Sequence, residues 1–169
     1  MLNKRTDFDL IVPQQVYASL NKRIDLSQFE TRVHEIRLDS AEITHVKIKE
    51  IRFDIARSKH ADTYEIENLC YIINDNGFRT LHTGDCWPES IIGIDQKFFN
   101  DIDLAIIHIS FGKYRFAVYD SILSPGYTLI SHIKTDFKDK FKEIMKIDVG
   151  TFVTKDALFE PYEQINYKR

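Results

Sequence analysis

One stretch of the sequence, residues 69–85, constrains the fold most strongly because it has the pattern of two strands joined by a tight turn. An apolar and aromatic run precedes Asn-Asp-Asn-Gly at 74–77, and an extended pattern follows it. Asn and Gly tolerate the positive φ angles that tight hairpin turns require. The sequence therefore predicts a β-hairpin. Gly84 then allows a sharp turn, which leaves Asp85 at the end of the second strand.

Strand and helix patterns alternate along the rest of the chain. Residues 43–55 alternate in two phases, and the slip at 49–50 predicts a turn or bulge between two strands. Apolar spacing predicts helices over 88–99 and 135–146, and near-continuous apolar runs predict buried strands over 103–109 and 127–131. A closing strand is predicted over 149–153. Strands interrupted by helices predict an α/β layered fold, with one domain over 1–153 and a tail over 154–169.

Charge and cysteine content narrow the classes of function. The 169 residues carry 23 Lys and Arg against 26 Asp and Glu, a net charge of −3, which predicts no nucleic-acid or anionic-membrane surface. No apolar run approaches the roughly 20 residues of a membrane span. Cys70 and Cys86 form no disulfide framework, so we expect a reducing, cytoplasmic setting without a signal peptide.

Three residues at predicted strand ends or in adjoining loops could form a metal site: His60, Asp85 and His132. Two imidazoles and a carboxylate are donors that zinc accepts. Each residue also has an ordinary interpretation, since Asp85 could cap the following helix and a lone histidine at a strand end is often only polar. His82 is interpreted as an outer residue that supports the site. His108, within an apolar strand, is interpreted as a core histidine.

Four segments resemble the metallo-β-lactamase superfamily in their order along the chain. Tyr-Ile-Ile-Asn-Asp-Asn-Gly-Phe-Arg-Thr-Leu-His-Thr-Gly-Asp at 71–85 resembles the hairpin of that family. Arg-Ser-Lys-His-Ala-Asp at 57–62 falls where the family has a histidine ahead of the hairpin. Asp-Leu-Ala-Ile-Ile-His-Ile at 103–109 resembles its next buried strand. Leu-Ile-Ser-His-Ile at 129–133 resembles the strand that carries its last metal-binding histidine.

The resemblance implies half of a metallo-β-lactamase-like αββα sandwich, a mixed sheet with flanking helices. It also implies a zinc-dependent hydrolase with two ions in a complete fold. Asp85 would bridge the ions, His60 would bind the first and His132 the second. The metals of this family activate water for attack on an ester, amide, thioester or phosphodiester. The resemblance does not identify the small-molecule substrate.

One departure from the family is large, because its His-x-His-x-Asp-His signature occurs nowhere in the sequence. The chain therefore resembles the C-terminal half of the fold. It could be a fragment of a longer enzyme, a half-domain that meets a partner or a second copy, or a degenerate member. We expect the chain alone to be inactive, and its open sheet face to be covered by the missing half or by a homo-oligomer. The alternative function is a non-catalytic binding or assembly module that retains the scaffold.

Overall fold

The computed structural model describes residues 8–29, 31–39, 42–60, 65–108, 122–123, 125–131 and 155–157. The first elements form a small layer at the start of the chain. Strand β1 (Leu10–Pro13) leads into helix α1 (Gln14–Asn21) and a 3₁₀ turn, and β2 (Val33–Ile36) returns parallel to β1. Leu10 is opposite Val33 in this two-stranded sheet.

A seven-stranded mixed sheet forms the body of the described part of the chain. Its strands are adjacent in chain order: β3 (Ile43–Ile48), β4 (Ile51–Lys59), β5 (Glu67–Asp75), β6 (Phe78–His82), β7 (Leu104–His108), β8 (Tyr127–Ser131) and β9 (Lys155–Ala157). Strand β9 lies beyond residue 153, in the segment that the sequence assigns to a tail, and it pairs with β8.

The sheet begins antiparallel, from β3 to β6, and tight turns join β3 to β4 and β5 to β6. Lys49 has a φ of 56° at the predicted phase slip, where the chain reverses from β3 into β4. Asn76 and Gly77 have φ angles of 51° and 86° in the predicted Asn-Gly turn between β5 and β6. The predictions of two strands over 43–55 and of the hairpin are therefore confirmed.

The second half of the sheet is parallel, from β6 to β9. Parallel neighbours need crossover connections, and residues 83–103 provide the one between β6 and β7. Within it, α2 (Pro88–Ile91) and a 3₁₀ turn at Gln96–Phe99 replace the single predicted helix. Gly93 lies between them, and Asp95 starts the second by accepting a hydrogen bond from the Lys97 N–H at 2.9 Å.

The larger core lies on the sheet face that this crossover covers. It joins residues of β4 to β7 with the two short helical segments: Ala56, Cys70, Ile72, Leu81, Cys86, Ile91, Ile94, Phe98, Phe99, Ile102, Ala105, Ile107 and Leu123. Phe98 and Phe99 meet edge to face, with ring centroids 5.0 Å apart. The apolar positions that predicted the helix are therefore buried although the helix is broken.

The other face of β4 and β5 carries a smaller core of Ile36, Ile55 and Leu69. Ile11 of β1 packs against it. The small parallel sheet thus covers part of the face that the sequence analysis expects to be open. The predicted helix over 135–146 and the strand over 149–153 lie outside the described residues. Within the described part of the chain, no helix is long and apolar enough to span a membrane.

Candidate metal centre

Asp85 lies just beyond the end of β6, where the chain leaves the sheet through Thr83 and Gly84. Gly84 has a φ of 57°, a conformation that residues with a Cβ adopt at a cost. A Cβ at this position would also collide with the side-chain oxygen of Asn68. Both the backbone angle and the lack of space therefore require glycine before Asp85.

The buried amide of Asn68 holds this turn in place. Its Oδ1 accepts a hydrogen bond from the Asp85 N–H at 2.9 Å, and its Nδ2 donates to the Thr83 carbonyl at 2.9 Å. The same Nδ2 donates to the Ser58 hydroxyl at 2.5 Å. Buried polar groups satisfied in this way fix a single geometry. The backbone that carries Asp85 is thus fixed to β4 and β5.

His60 follows β4 and forms an isolated antiparallel bridge with Cys86. The Trp87 N–H donates to the Lys59 carbonyl at 3.1 Å, which extends this pairing. His60 Nε2 lies 3.6 Å from Asp85 Oδ2, with the His60 side chain 20% and the Asp85 side chain 33% exposed. The structure therefore brings together two of the three predicted ligands, which are 85 − 60 = 25 residues apart in sequence.

His108 is the site residue that the sequence interpretation missed. It ends β7, and its Nε2 lies 3.4 Å from Asp85 Oδ1, with the side chain 15% exposed. The parallel register pairs His82 with Ile106, so His108 lies two residues further toward the edge where Asp85 is. The interpretation of His108 as an ordinary core histidine omits this contact. The pairing of β6 with β7 was the signal that could have revealed it.

Of the two remaining predicted residues, the structure describes His82 but not His132. His82 accepts a hydrogen bond from the Gly84 N–H at its Nδ1, at 3.0 Å, and so contacts the turn that carries Asp85. His132 directly follows Ser131 in sequence and lies outside the described residues. The roles of both remain predictions.

Two free thiols lie beneath the site. Cys70 and Cys86 are fully buried, and Cys70 Sγ lies 3.6 Å from the Thr83 carbonyl oxygen. A hydrogen bond with Cys86 and burial raise the pKa of the Cys70 thiol well above its usual value. Only the thiolate is a metal ligand, so Cys70 acts as a small core residue rather than a donor.

The donor set suits a divalent metal in chemistry and in spacing. Two donors bound to one zinc ion at about 2.0–2.2 Å with tetrahedral angles lie about 3.3–3.6 Å apart. The two contacts of Asp85, at 3.6 and 3.4 Å, agree with that spacing, and each uses a different carboxylate oxygen. Within the described residues, however, no group of three His, Cys, Asp or Glu side chains is arranged to hold an ion. The described donors thus form two pairs that share Asp85.

Comparison with known proteins supports the fold. No protein-family model matches the sequence, and no curated protein is significantly similar to it. The structure is similar to Igni18, described as a novel metallo hydrolase from the archaeon Ignicoccus hospitalis, with a TM-score of 0.60 and 15% identity over 99% of this chain and 72% of that one.

A second solved structure gives the same result. The metallo-β-lactamase fold protein YhfI from Bacillus subtilis aligns with a TM-score of 0.52 and 12% identity, over 90% of this chain and 63% of that one. The chain therefore spans less than two thirds of YhfI. These similarities, together with the mixed sheet and its flanking layers, show that the chain has a partial metallo-β-lactamase fold.

Proposed function

We propose that the chain belongs to a metal-dependent hydrolase of the metallo-β-lactamase superfamily. The observation that supports this most directly is the position of Asp85 between two imidazoles at the strand ends, at 3.4 and 3.6 Å. The similarity to a metallo hydrolase and to a metallo-β-lactamase fold protein agrees with it. In this fold, ligands gather where the strands end, which is where these residues lie.

Zinc is the metal that the donors favour, because it accepts imidazole and carboxylate ligands together. In the proposed scheme His60 and Asp85 hold one ion, and Asp85 and His132 contribute to a second. A bound zinc ion lowers the pKa of its water toward neutrality and so supplies a nucleophile for hydrolysis. His82 supports the turn on which Asp85 lies.

The chain's own residues would act by fixing and exposing the carboxylate. Asn68 fixes the backbone of Asp85, so little backbone freedom would be lost when an ion binds. The Asp85 side chain is 33% exposed, so a substrate in solvent would reach it. Its Oδ1 is buried.

A second candidate function is a binding or assembly module that keeps the scaffold without catalysis. Catalytic zinc usually has three protein ligands, and the proposed scheme supplies two for each ion. The His-x-His-x-Asp-His signature, which brings further ligands in the family, is also absent from the sequence. Under the hydrolase proposal, a partner chain or a second copy would have to supply them.

Calorimetric titration of the full chain with Zn²⁺ separates the two candidates. We expect binding by the wild type that is weakened at least about 100-fold in His60→Ala and in His132→Ala, because each variant loses an ion-contacting donor. His34→Ala is the matched control, since His34 pairs with Asp9 at 3.2 Å away from this site. A wild-type chain that takes up no zinc would contradict the hydrolase proposal and favour the binding module.

Compartment and assembly form part of the same proposal. Both cysteines are free thiols, which agrees with a reducing cytoplasmic setting. A partner or a second copy would complete the ligand set and cover the remaining sheet face. Light scattering of the purified chain tests this, because we expect a mass above 19.9 kDa for a homo-oligomer and a monomer for a half-domain that needs a different partner.

A further inference from the structure

His108 is the chemical group of the site that the proposed scheme leaves without a role. It ends β7 on the same sheet face as Ile106, and the parallel register sets it beside the turn that carries Asp85. Its side chain is 15% exposed, and its Nε2 lies 3.4 Å from Asp85 Oδ1. A histidine in this place can act as a structural partner of the carboxylate or as a metal ligand.

The distance between His108 and Asp85 separates these two roles. Hydrogen bonds from a nitrogen to an oxygen are about 2.7–3.2 Å long. The two His–Asp contacts away from this site, at 3.2 Å for His34 and 2.7 Å for His45, are within that range. The His108 contact, at 3.4 Å, is longer, and it matches the spacing of two donors around one zinc ion.

His108 and His60 approach different carboxylate oxygens of Asp85. His108 Nε2 approaches Oδ1 of Asp85, which is buried, whereas His60 Nε2 approaches Oδ2. The two histidines therefore lie on different sides of one carboxylate, 108 − 60 = 48 residues apart in sequence. A carboxylate can bridge two ions by offering one oxygen to each, and these contacts match that mode.

We propose that His108 is itself a metal ligand, holding a divalent cation together with Asp85 Oδ1, while His60 shares Asp85 through Oδ2. This inference rests on the proposed metal-dependent function and adds a ligand to it. The additional donor brings the protein ligands of that ion closer to the three that zinc requires. The chain thereby retains more of a metal site than the missing signature suggests.

Cobalt titration tests the inference, because Co²⁺ occupies zinc sites and its visible absorption reports the number and kind of ligands. We expect the wild-type full chain to give tetrahedral-type absorption. In His108→Ala and His108→Gln, we expect Co²⁺ affinity to fall more than about 100-fold, beyond the 10–100-fold typical of an outer hydrogen-bond partner. His34→Ala serves as control and should match the wild type. Circular dichroism of each variant establishes that it is folded.

A cysteine substitution shows whether residue 108 bonds to the ion directly. In His108→Cys, a thiolate replaces the imidazole, and we expect a new sulfur-to-cobalt charge-transfer band in the near ultraviolet. The buried Cys70 and Cys86 are present in the wild type too, so its spectrum gives their contribution. A histidine that only supports Asp85 would give no such band.

The outcomes distinguish the inference from the function on which it rests. If the wild type binds no Co²⁺ or Zn²⁺, the proposed function fails and the inference fails with it. If the wild type binds, but folded His108→Ala and His108→Gln bind equally well and His108→Cys adds no band, the inference alone is overturned. Loss of affinity together with the new band supports His108 as a ligand.

Discussion

Two aspartates on the same sheet have opposite surroundings. Asp54, within β4, is 8% exposed and contacts the Arg52 Nε at 2.6 Å and the His45 Nδ1 at 2.7 Å. Arg79 adds a second guanidinium at 3.8 Å. Asp85, beyond the end of β6, is 33% exposed and has two imidazoles at 3.4 and 3.6 Å. We call these two sets of side chains the Asp54 cluster and the Asp85 cluster. Asp54 and His60 are six positions apart, so the two clusters lie about 20 Å apart along β4.

The difference shows how one sheet makes a carboxylate either structural or available. Guanidinium groups are permanently charged and form short, directed hydrogen bonds, so Asp54 has little capacity left for a ligand. Imidazoles can give up their protons and coordinate an ion, and the contacts of Asp85 with its two imidazoles are longer than those of Asp54. We therefore expect Asp54 to contribute to stability, and under the proposed function we expect Asp85 to contribute to metal binding.

The largest expected effect is on metal affinity. Asp85→Asn removes the charge and one of the two carboxylate oxygens, so we expect Zn²⁺ binding to weaken more than about 100-fold. Asp54→Asn, the matched substitution in the other cluster, should leave affinity unchanged. Calorimetric titration of both variants measures the difference, and equal losses in both would end the distinction between the two aspartates.

The free energy of unfolding should fall more in Asp54→Asn than in Asp85→Asn, the reverse of the order expected for metal affinity. Asp54→Asn leaves Arg52 and Arg79 facing a neutral amide, and we expect the free energy of unfolding to fall by about 2 kcal/mol. Asp85→Asn keeps the backbone bond to Asn68, so its cost should be under about 1 kcal/mol. Urea unfolding of the metal-free variants gives both values. A greater loss for Asp85→Asn would show that this carboxylate also stabilises the fold.

Tyr71 lies on β5, between the two clusters. Its ionisation should lower the free energy of unfolding at high pH. Burial raises the pKa of Tyr71 to about 12, above the value of about 10 in an unfolded chain. The neutral phenol thus favours the folded state below pH 10, and this contribution is lost as pH rises toward 12. We expect a fall of about 2 kcal/mol over that range. It should be absent in Tyr71→Phe, as followed by urea unfolding at each pH.

Two glycines measure how tightly the turn before Asp85 is held. Gly77 and Gly84 both have positive φ, but a Cβ would meet no neighbour at Gly77 and would collide with Asn68 at Gly84. Gly77→Ala should cost about 1 kcal/mol for the backbone angle alone, and Gly84→Ala about 1 kcal/mol more. Thermal unfolding gives the difference, and equal costs would mean that Asn68 moves aside without penalty.

Much of the sheet could be predicted from the sequence because the signals are local. The Asn-Gly turn and the phase slip at Lys49 each depend on a few adjacent residues, and the apolar run of β7 is similarly compact. The helix over 88–99 was wrong in extent because the apolar spacing does not register the break at Gly93. Periodicity identifies which residues are buried better than it identifies where a helix ends.

The site could be predicted only in part because it depends on pairing between distant strands. The sequence suggested that His60 and Asp85 lie at one edge, and the structure has them 3.6 Å apart. The contact of His108 depends on the register of β7 against β6, which no local pattern specifies. Asn68 was missed for a similar reason, since its partners are 15 and 17 residues away. His132 remains a prediction.

The shared direction of β4, β6, β7 and β8 has a consequence for the proposed metal site. Their carboxyl ends meet at one edge, and His60, Asp85 and His108 lie in or directly after three of these strands, at sequence separations of 25 and 23. These three residues therefore form no local chelating motif in an unfolded chain. Under the proposed function, an ion would bind only after these strands have paired, so it would stabilise the assembled sheet without starting its assembly.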